Sequence, residues 1–581
     1  MSAILLFNLN WLKDYKMHTG KIIKILLYST LIFSQKTLAI SGNISPLEQN
    51  IINQKQKDIL QEIQKQENLG NNIDIIHNDE FPSESNHNID PSCHFVNNIQ
   101  FKDSFYLSKS EKISLVKSYM PKCLSIKDIN LLTKKISNYY IEKGYITSRA
   151  LIKPQDLSQG ILVIDILKGK INSITIEGEG YPNTLKLAFP NMIGKSLNLR
   201  DIEQGLEQLN RLSSQKVTID IKPSEKPEYS DVILKKISKN KLNIDAELEI
   251  ELDNSGQKNT GENQFNTTLK LDNLLHLADL WTTSINKDTD FSNNHKNWHV
   301  NSELNIPYGY WLFSYQYSKN KSFQNINLGY STFPYEGTGE THTLKVNRTL
   351  YRDGKQKVSL NTSFTQRKTE NSIADFKFSV SSPTLSTLNV GFNYSSLVTS
   401  GYFSFSPSIT KGLSILDATK DNSNLKNEPK SQFYKFNVGT SYYKFLTNNV
   451  YYLTSAYGQY SPSNLYSIER ISLGGQYSIR GFKEKNIAGN IGGYWRNEIN
   501  WQVTKLPVLG DISLKSSLDT GWIKNQKNRI SEGGNLTGIS LGVSLNNTVG
   551  DHSLIVGKPL NYPEHLKPDN FVVYWSTSFN F

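Results

Sequence analysis

The chain has 581 residues, a formal net charge of +11 and a hydrophobic fraction of 37%. This length is too great for one ordinary domain and predicts roughly three or four. After the first ~40 residues the sequence has no run of roughly eighteen apolar residues, which excludes a helical membrane protein. The lysines are scattered rather than clustered, so we expect no nucleic-acid partner.

Residues 1–39 have the features of an export signal. Lys21 and Lys24 precede a short apolar run, and Ala39 ends a small-residue cleavage site. The mature chain is therefore expected to begin near residue 40. Met17 lies just before the charged segment and is an alternative start.

Residues 40–70 predict a polar helix, and residues 71–92 predict a linker. Ser45 and Glu48 have the spacing of a capping box, with Pro46 at the first helical position. The apolar stripe along this helix is thin, so the helix needs a partner or a socket to be stable. The segment that follows is rich in Asn, Asp, Ser and Pro and has no periodicity.

Residues 93–169 and 170–240 predict two copies of one small α/β module. The first has the order strand, helix, helix, strand, strand, and its second helix begins with Ser125 and Asp128 in capping positions. Its last two strands are expected at Tyr145–Lys153 and Ile161–Leu167. A similar order recurs in the second copy, where Asn198 precedes a helix.

The sequence contains only two cysteines, Cys93 and Cys123. An exported chain reaches an oxidising compartment, so these two residues predict one disulfide. Closing a loop of about thirty residues stabilises a domain by roughly 3–4 kcal/mol in the chain-entropy model. A metal site is not expected, because a structural zinc ion requires four ligands.

Residues 241–581 predict a transmembrane β-barrel. In the segments 300–306 and 311–318, which flank a turn at 307–309, apolar and polar residues alternate as in a wall between lipid and water. Tyr (30) and Phe (25) are abundant, as such a wall requires. The length leaves room for about sixteen antiparallel strands, and closure would remove the exposed edge of the last one. A soluble β-sandwich is the alternative.

The sequence offers little support for catalysis. It contains no HExxH, no GxSxG, no P-loop and no GxGxxG at a strand–helix junction. We therefore expect no enzyme activity, no catalytic residue, no cofactor and no metal. The missing P-loop fits an exported protein, because nucleotide is absent from that compartment.

The most distinctive segment is 470–499, in which Arg480, Gly481 and Phe482 lie between two glycine pairs. In a chain with a terminal barrel strand, this segment resembles the long-loop motif of two-partner secretion transporters, the TpsB family of ShlB, FhaC and HecB type, within the BamA-like superfamily. The segments KCLSIKDINLLTKKISNYYIEKGYITSRALIKPQDLSQGILVIDILKGKI and LNLRDIEQGLEQLNRLSSQ resemble the two POTRA modules of that family. The resemblance covers nearly everything after Cys93.

The resemblance has consequences for individual residues. Arg480 would lie at the tip of a loop folded into the lumen and would pair with Asp519 of the SLDTG segment on the inner wall. The chain departs from the family pattern at Ser517, where a Phe is more common. The 40–70 helix would be a plug within the pore. The C-terminal signal for the barrel-assembly machinery would include the last residue, and its members would be Trp575, Phe579 and Phe581.

The resemblance also implies a function. The protein would lie in the outer membrane, in contact with its lipid, with the POTRA modules in the periplasm. The modules would capture an unfolded haemolysin- or adhesin-like exoprotein carrying a secretion domain, and the barrel would conduct it by type V two-partner secretion. The identity of this partner, and its activation by the transporter, stay open. The alternatives are a BamA-like assembly factor, an autotransporter adhesin and a barrel hydrolase.

Overall fold

The computed structural model describes most of the chain from residue 45 onward. The predicted export signal, the alternative start at Met17 and the linker from residue 72 lie outside the described residues. The described ranges are 45–71, 93–177, 182–213, 215–238, 245–290, 292–328, 331–421, 428–507, 510–525, 533–547 and 549–581.

The first helix, α1, spans Pro46–Asn71, one residue beyond the predicted end. The predicted capping box is confirmed. The Ser45 amide donates a hydrogen bond to Glu48 Oε2 at 2.9 Å, and the Glu48 amide donates to Ser45 Oγ at 3.3 Å. None of the helices in the described ranges is both long enough and apolar enough to cross a bilayer.

The first α/β module packs two helices against a three-stranded sheet of order β2-β5-β4, with a small β1–β3 sheet beside it. Its elements are β1 His94–Val96, β2 Asn98–Lys102, α2 Lys109–Val116, a 3-10 turn Lys117–Tyr119, β3 Lys122–Leu124, α3 Ile126–Glu142, β4 Arg149–Leu151 and β5 Ile161–Leu167. Leu132, Ile136 and Leu162 are fully buried in its core. A disulfide joins Cys93 to Cys123 and so links the start of β1 to β3.

The strand predicted to begin at Tyr145 is shorter than expected and begins at Arg149. The reason is an aromatic cluster at the end of α3. The Tyr145 ring packs on Phe105 with centroids 5.1 Å apart, and the Ser148 amide closes a turn on the Tyr145 carbonyl at 3.0 Å. Burial in this cluster raises the pKa of Tyr145 to about 12.

The second module has the sheet order β6-β8-β7. Its elements are β6 Lys170–Ile176, α4 Pro182–Ala188, α5 Leu199–Asn210, β7 Gln215–Pro223 and β8 Tyr229–Ser238. The sequence predicted α5 and the strands but missed the seven-residue α4, which is too short to show helical periodicity.

The two modules meet where α3 ends and α5 begins. The Leu199 amide donates to the Gly144 carbonyl at 2.8 Å, and Asn198 Nδ2 donates to the Lys143 carbonyl at 3.3 Å. Asn198 also caps α5, because its Oδ1 accepts from the Arg200 amide at 2.8 Å. One asparagine thus serves both the helix and the module junction.

Helix α5 also fixes the second module to one rim of the barrel. Arg352 Nη1 lies 2.9 Å from a carboxylate oxygen of Glu207, and Gln208 Nε2 donates to the Gly309 carbonyl at 3.0 Å. Arg352 ends β14 just before a short turn, and Gly309 begins another short turn, so this rim is the one that faces the modules.

In the described residues, sixteen long antiparallel strands close into a barrel, with each long strand paired to the next long strand along the chain and the last paired to the first. The strands are β9 Ala246–Asp253, β10 Gln264–Asp272, β11 Leu280–Asp288, β12 His295–Tyr308, β13 Trp311–Leu328, β14 Ser331–Arg352, β15 Gln356–Ile373, the two-residue β16 Phe376–Lys377, β17 Thr384–Val398, β18 Gly401–Leu413, β19 Tyr434–Thr447, β20 Val450–Tyr460, β23 Gly492–Leu506, β24 Gly510–Ile523, β25 Gly534–Asn546, β26 Gly550–Asn561 and β27 Val572–Asn580. The predicted fold class is confirmed.

The last strand closes the barrel on the first. β27 pairs with β9, with Phe579 opposite Ile250, and the Phe581 amide donates to the Leu248 carbonyl at 2.9 Å. The predicted turn at 307–309 is displaced by two residues, because β12 continues to Tyr308. Gly309, with φ +57°, starts the observed two-residue turn.

The connection between β20 and β23, residues 461–491, contains its own small hairpin. Strands β21 Ile471–Leu473 and β22 Ile487–Gly489 pair with each other and lie outside the barrel sheet. We refer to residues 461–491 as the inward loop.

Replacing Gly144 by Ala should loosen the module junction. Gly144 has φ +93°, and an added Cβ would lie 2.4 Å from Asn198 Oδ1. A left-handed backbone alone costs roughly 1–2 kcal/mol for a residue with a Cβ. Gly194 is the matched control, because its φ is +79° and an added Cβ would meet nothing within 4 Å. Hydrogen exchange should quicken at the start of α5 in Gly144→Ala but not in Gly194→Ala. Equal exchange there in both variants would contradict this account of the junction.

Candidate functional site

The inward loop builds a small apolar core inside the barrel. Phe482 is fully buried and packs in a cluster with Ile479, Leu473 and Ile487 of the same loop. The cluster also includes Leu536 from the wall strand β25. Burial of this kind is the dominant stabilising term in folding, so the loop is packed in place rather than merely lying in the lumen.

Arg480 of the inward loop pairs with Asp519 on β24. Arg480 Nε donates to Asp519 Oδ2 at 2.7 Å, and Nη2 donates to Oδ1 at 2.8 Å, which is a bidentate ion pair. The Arg480 amide also donates to Asp519 Oδ2 at 3.1 Å. Arg480 is 3% exposed and Asp519 is 0% exposed, so water does not compete for these bonds.

The structure adds a residue that the sequence reasoning missed. Glu498 on the neighbouring strand β23 accepts a hydrogen bond from Arg480 Nη1, and Asn500 Nδ2 donates to Glu498 Oε1 at 2.8 Å. One guanidinium therefore has two carboxylate partners. The register of β23 could have identified this residue, because Glu498 alternates with the outward residues Trp495 and Ile499 on the barrel surface.

Ser517, where the family pattern usually has Phe, does not disturb the pair. It lies two residues before Asp519 on the same inner face, and its hydroxyl hydrogen-bonds to Ser540 at 2.5 Å.

Glycine allows the loop to approach the wall closely at two positions. An added Cβ at Gly538 on β25 would lie 1.8 Å from the Arg480 carbonyl oxygen. An added Cβ at Gly481, with φ +107°, would lie 2.7 Å from the Lys558 carbonyl oxygen on β26. Each residue of the Arg-Gly-Phe motif thus has a separate role. Arg480 forms the ion pair, Gly481 permits the close approach to β26, and Phe482 fills the apolar core.

Helix α1 lies inside the barrel. Asn50 Nδ2 donates to Ser322 Oγ at 3.0 Å and to Asn297 Oδ1 at 3.1 Å, both on wall strands. At the start of the helix, Leu47 is fully buried, and its Cβ would lie 2.8 Å from a Cβ added at Gly337.

The helix also touches the inward loop. Gln56 Nε2 donates to the Ser472 carbonyl at 2.6 Å, and Asn486 Nδ2 donates to Gln49 Oε1 at 2.8 Å. The two structures that occupy the lumen are therefore in contact with each other as well as with the wall.

The C-terminal residues lie on the outer surface of β27. Phe581 is 60% exposed, while Tyr574, which alternates with Trp575, is buried on the inner side. Phe579 shares the outer face with Trp575 and Phe581, because alternate residues of a strand point to the same side of the sheet.

These features define a class of protein. A closed barrel with an outward apolar surface, a polar lumen filled by a loop and a helix, and two α/β modules at one rim is the architecture of an outer-membrane transporter with periplasmic modules.

Family models match the chain from residue 94 to residue 545 almost without a gap. Residues 228–545 match the haemolysin secretion/activation protein family ShlB/FhaC/HecB, residues 94–169 match the ShlB-type POTRA domain, and residues 170–223 match the POTRA domain. The chain belongs to the ShlB/FhaC/HecB family and is an outer-membrane transporter of two-partner secretion. Its POTRA modules are periplasmic.

Individual relatives agree with this assignment. The outer membrane transporter CdiB of Dickeya dadantii (strain 3937) is 36% identical over 94% of this chain and 96% of its own length. The solved structure of CdiB from Escherichia coli superposes with a TM-score of 0.88 at 34% identity, covering 93% of this chain and 100% of that one. The haemolysin transporter ShlB of Serratia marcescens is 29% identical over 67% of this chain and 69% of its own length.

Replacing Gly538 by Ala should displace the inward loop, because the added methyl group would overlap the Arg480 carbonyl. Gly439 on β19 is the matched control, since its nearest neighbour for an added Cβ is 3.9 Å away. A reporter cysteine can be placed by Ser478→Cys, because Ser478 is fully buried in the loop. A thiol reagent should label this cysteine several-fold faster with Gly538→Ala than with Gly439→Ala. Equal labelling rates would show that the loop does not depend on close contact at Gly538.

Proposed function

We propose that this transporter exports one large exoprotein that carries a two-partner secretion domain, and that α1 closes the channel between export events. The observation that carries the proposal is the position of α1 in the lumen, in contact with wall strands and with the inward loop. The relative named as the haemolysin transporter ShlB supports an exported protein partner. The partner enters unfolded from the periplasm and folds outside, which gives export a direction without nucleotide.

The contacts of α1 suit a plug that can be removed. Its bonds to the wall include amide–hydroxyl and amide–amide hydrogen bonds such as Asn50 to Ser322 and Asn50 to Asn297. Net stabilisation by each such bond is only about 1 kcal/mol, because water can replace it. The main apolar anchors are Leu47 and Ile52, which are 0% and 3% exposed. A helix attached in this way can leave the pore without unfolding the barrel.

The POTRA modules offer sheet edges for an extended chain. In the first module the outer strands of the sheet are β2 and β4, and in the second they are β6 and β7. An extended segment of the partner can add to such an edge through main-chain hydrogen bonds. The attachment of α5 to the barrel rim would then keep the captured segment near the lumen entrance.

We further propose that Arg480 keeps the inward loop folded while the partner passes. Its two carboxylates, Asp519 and Glu498, lie on adjacent wall strands, so the pair connects the loop to the wall at two points. With the loop fixed and α1 removed, the partner is left with a polar path along the wall.

Removing the plug should raise channel conductance. Deletion of residues 45–70 in the otherwise complete protein is expected to give larger and more frequent openings in planar bilayers. A milder variant is Leu47→Asp, which places a charge at a fully buried anchor. Gln54→Asp is its matched control, because Gln54 lies on an exposed face of the same helix. Unchanged conductance in both the deletion and Leu47→Asp would exclude plugging by α1.

Replacing Arg480 by Ala should reduce secretion of the partner severalfold. The variant leaves two buried carboxylates without their cation, and breaking a buried pair costs roughly 3–5 kcal/mol. Arg480→Lys keeps the charge but not the bidentate geometry, so secretion should fall less. Secretion is measured as extracellular partner divided by the amount of folded barrel in the outer membrane. Full export by an abundant Arg480→Ala barrel would refute the proposed role.

A further inference from the structure

A buried carboxylate lies where the inward loop meets α1. Glu469 ends a 3-10 turn, Ser467–Glu469, at the base of the inward loop and is 6% exposed. Lys55 Nζ of α1 lies 2.9 Å from Glu469 Oε1, and Arg367 Nη1 of β15 lies 3.1 Å from the same oxygen. Lys435 of β19 pairs with the other carboxylate oxygen. Three elements thus each present one cation to a single acid.

The charges in this cluster do not balance. Within the described ranges, Lys55, Arg367 and Lys435 form ion pairs with Glu469 and with no other carboxylate. Three basic side chains therefore share one acidic side chain. Lys55 and Arg367 bind the same oxygen atom, so their cationic groups lie within two hydrogen-bond lengths of each other. Like charges this close repel each other, and the largely buried side chains of Arg367 and Lys435 leave little water to screen them.

The three cations differ in what holds them. Arg367 and Lys435 lie on barrel strands, which are fixed by their ladders to both neighbours. Lys55 lies on α1, which contacts the wall through side chains such as that of Asn50 and has no strand ladder to hold it. The Lys55 ammonium also donates to the Ile468 carbonyl at 2.7 Å, so Lys55 has good hydrogen-bond geometry in the cluster. Lys55 is nevertheless the cation in excess, because the other two belong to the wall. If α1 leaves, Glu469 still has two cations.

A second lysine of α1, Lys57, faces an acidic part of the barrel wall. Lys57 Nζ lies 3.6 Å from Glu251 on β9. Leu252 of β9 faces outward. Because successive side chains of a strand point to opposite faces, the acidic residues on either side of it face the lumen; these are Glu249, Glu251 and Asp253. Lys57 therefore neutralises an acid-rich wall, whereas Lys55, two residues earlier, adds to a cation-rich cluster.

We propose that Glu469 is the positioning residue that joins the plug to the inward loop, and that Lys55 makes this joint weak while Lys57 holds the helix. The inference rests on the proposed role of α1 as a plug. In this arrangement the excess cation at Lys55 lowers the work needed to remove the helix, and the same carboxylate then stays paired with Arg367 and Lys435 in the wall.

The same substitution at the two lysines tests the proposal. Lys55→Glu would give two cations and two carboxylates in the cluster, so α1 should be held more firmly. Lys57→Glu would place a carboxylate of α1 against the acidic face of β9, and the repulsion between these carboxylates should expel α1. In planar bilayers, Lys55→Glu should open several-fold less often than the wild-type protein, and Lys57→Glu several-fold more often. Secretion of the partner should be slower in Lys55→Glu at equal amounts of folded barrel.

Each other outcome has a defined meaning. Frequent opening of both variants would overturn the excess-cation account, because loss of either lysine would then simply release the helix. No change in either variant, with opening in the 45–70 deletion, would leave the plug intact and refute the roles of both lysines. No change in the deletion itself would instead refute the proposed function. Lys55→Gln provides a second variant: less frequent opening than in the wild-type protein supports the proposal, because the excess cation is removed, and opening as frequent as in the deletion contradicts it.

Discussion

A strand that crosses a bilayer has no water to satisfy its amide and carbonyl groups, so the sheet must close on itself. Here β27 pairs with β9, and Phe581 extends the closing ladder to Leu248. Much of the structure follows from that closure. Sixteen strands enclose a lumen that side chains of the wall do not fill, and the permeability barrier would be lost unless something else occupied it. Among the described residues, the inward loop and α1 occupy it.

The two structures are fixed by different interactions. The inward loop has an apolar core around Phe482 and a buried bidentate pair between Arg480 and Asp519. Helix α1 is held mainly by amide hydrogen bonds, a few apolar anchors and two ion pairs. One of these ion pairs lies among other basic side chains and the other lies against an acidic wall. Burial and a desolvated ion pair make the first attachment lasting, while exchangeable polar contacts make the second reversible. A channel for an unfolded protein needs both kinds, because it must keep its wall in order while its plug moves.

Much of the fold could be predicted from the sequence, because alternation, caps and turns are local signals. The capping box at Ser45 and strand β5 agree with the sequence analysis residue by residue. Local signals failed at two places. Tertiary packing places Tyr145 in an aromatic cluster instead of in a strand. Helix α4 is too short to show a helical period in the sequence. The placement of Arg480 beside Asp519 was expected only from a family resemblance. Glu498 and Glu469 were missed because their partners are distant in sequence. Alternation along β23 shows that Glu498 faces the lumen, but not that Arg480 lies opposite it.

The central claim is that α1 must leave the lumen for export to occur. Asn50 and Ser322 are in hydrogen-bond contact at 3.0 Å, so Asn50→Cys with Ser322→Cys should allow a disulfide between the helix and the wall. Secretion is then measured in cells before and after reduction, with Ser322→Cys alone as the control. We expect export by the oxidised double variant to fall to background and to recover on reduction, while the control exports throughout. Full export with the helix cross-linked in the lumen would contradict the claim.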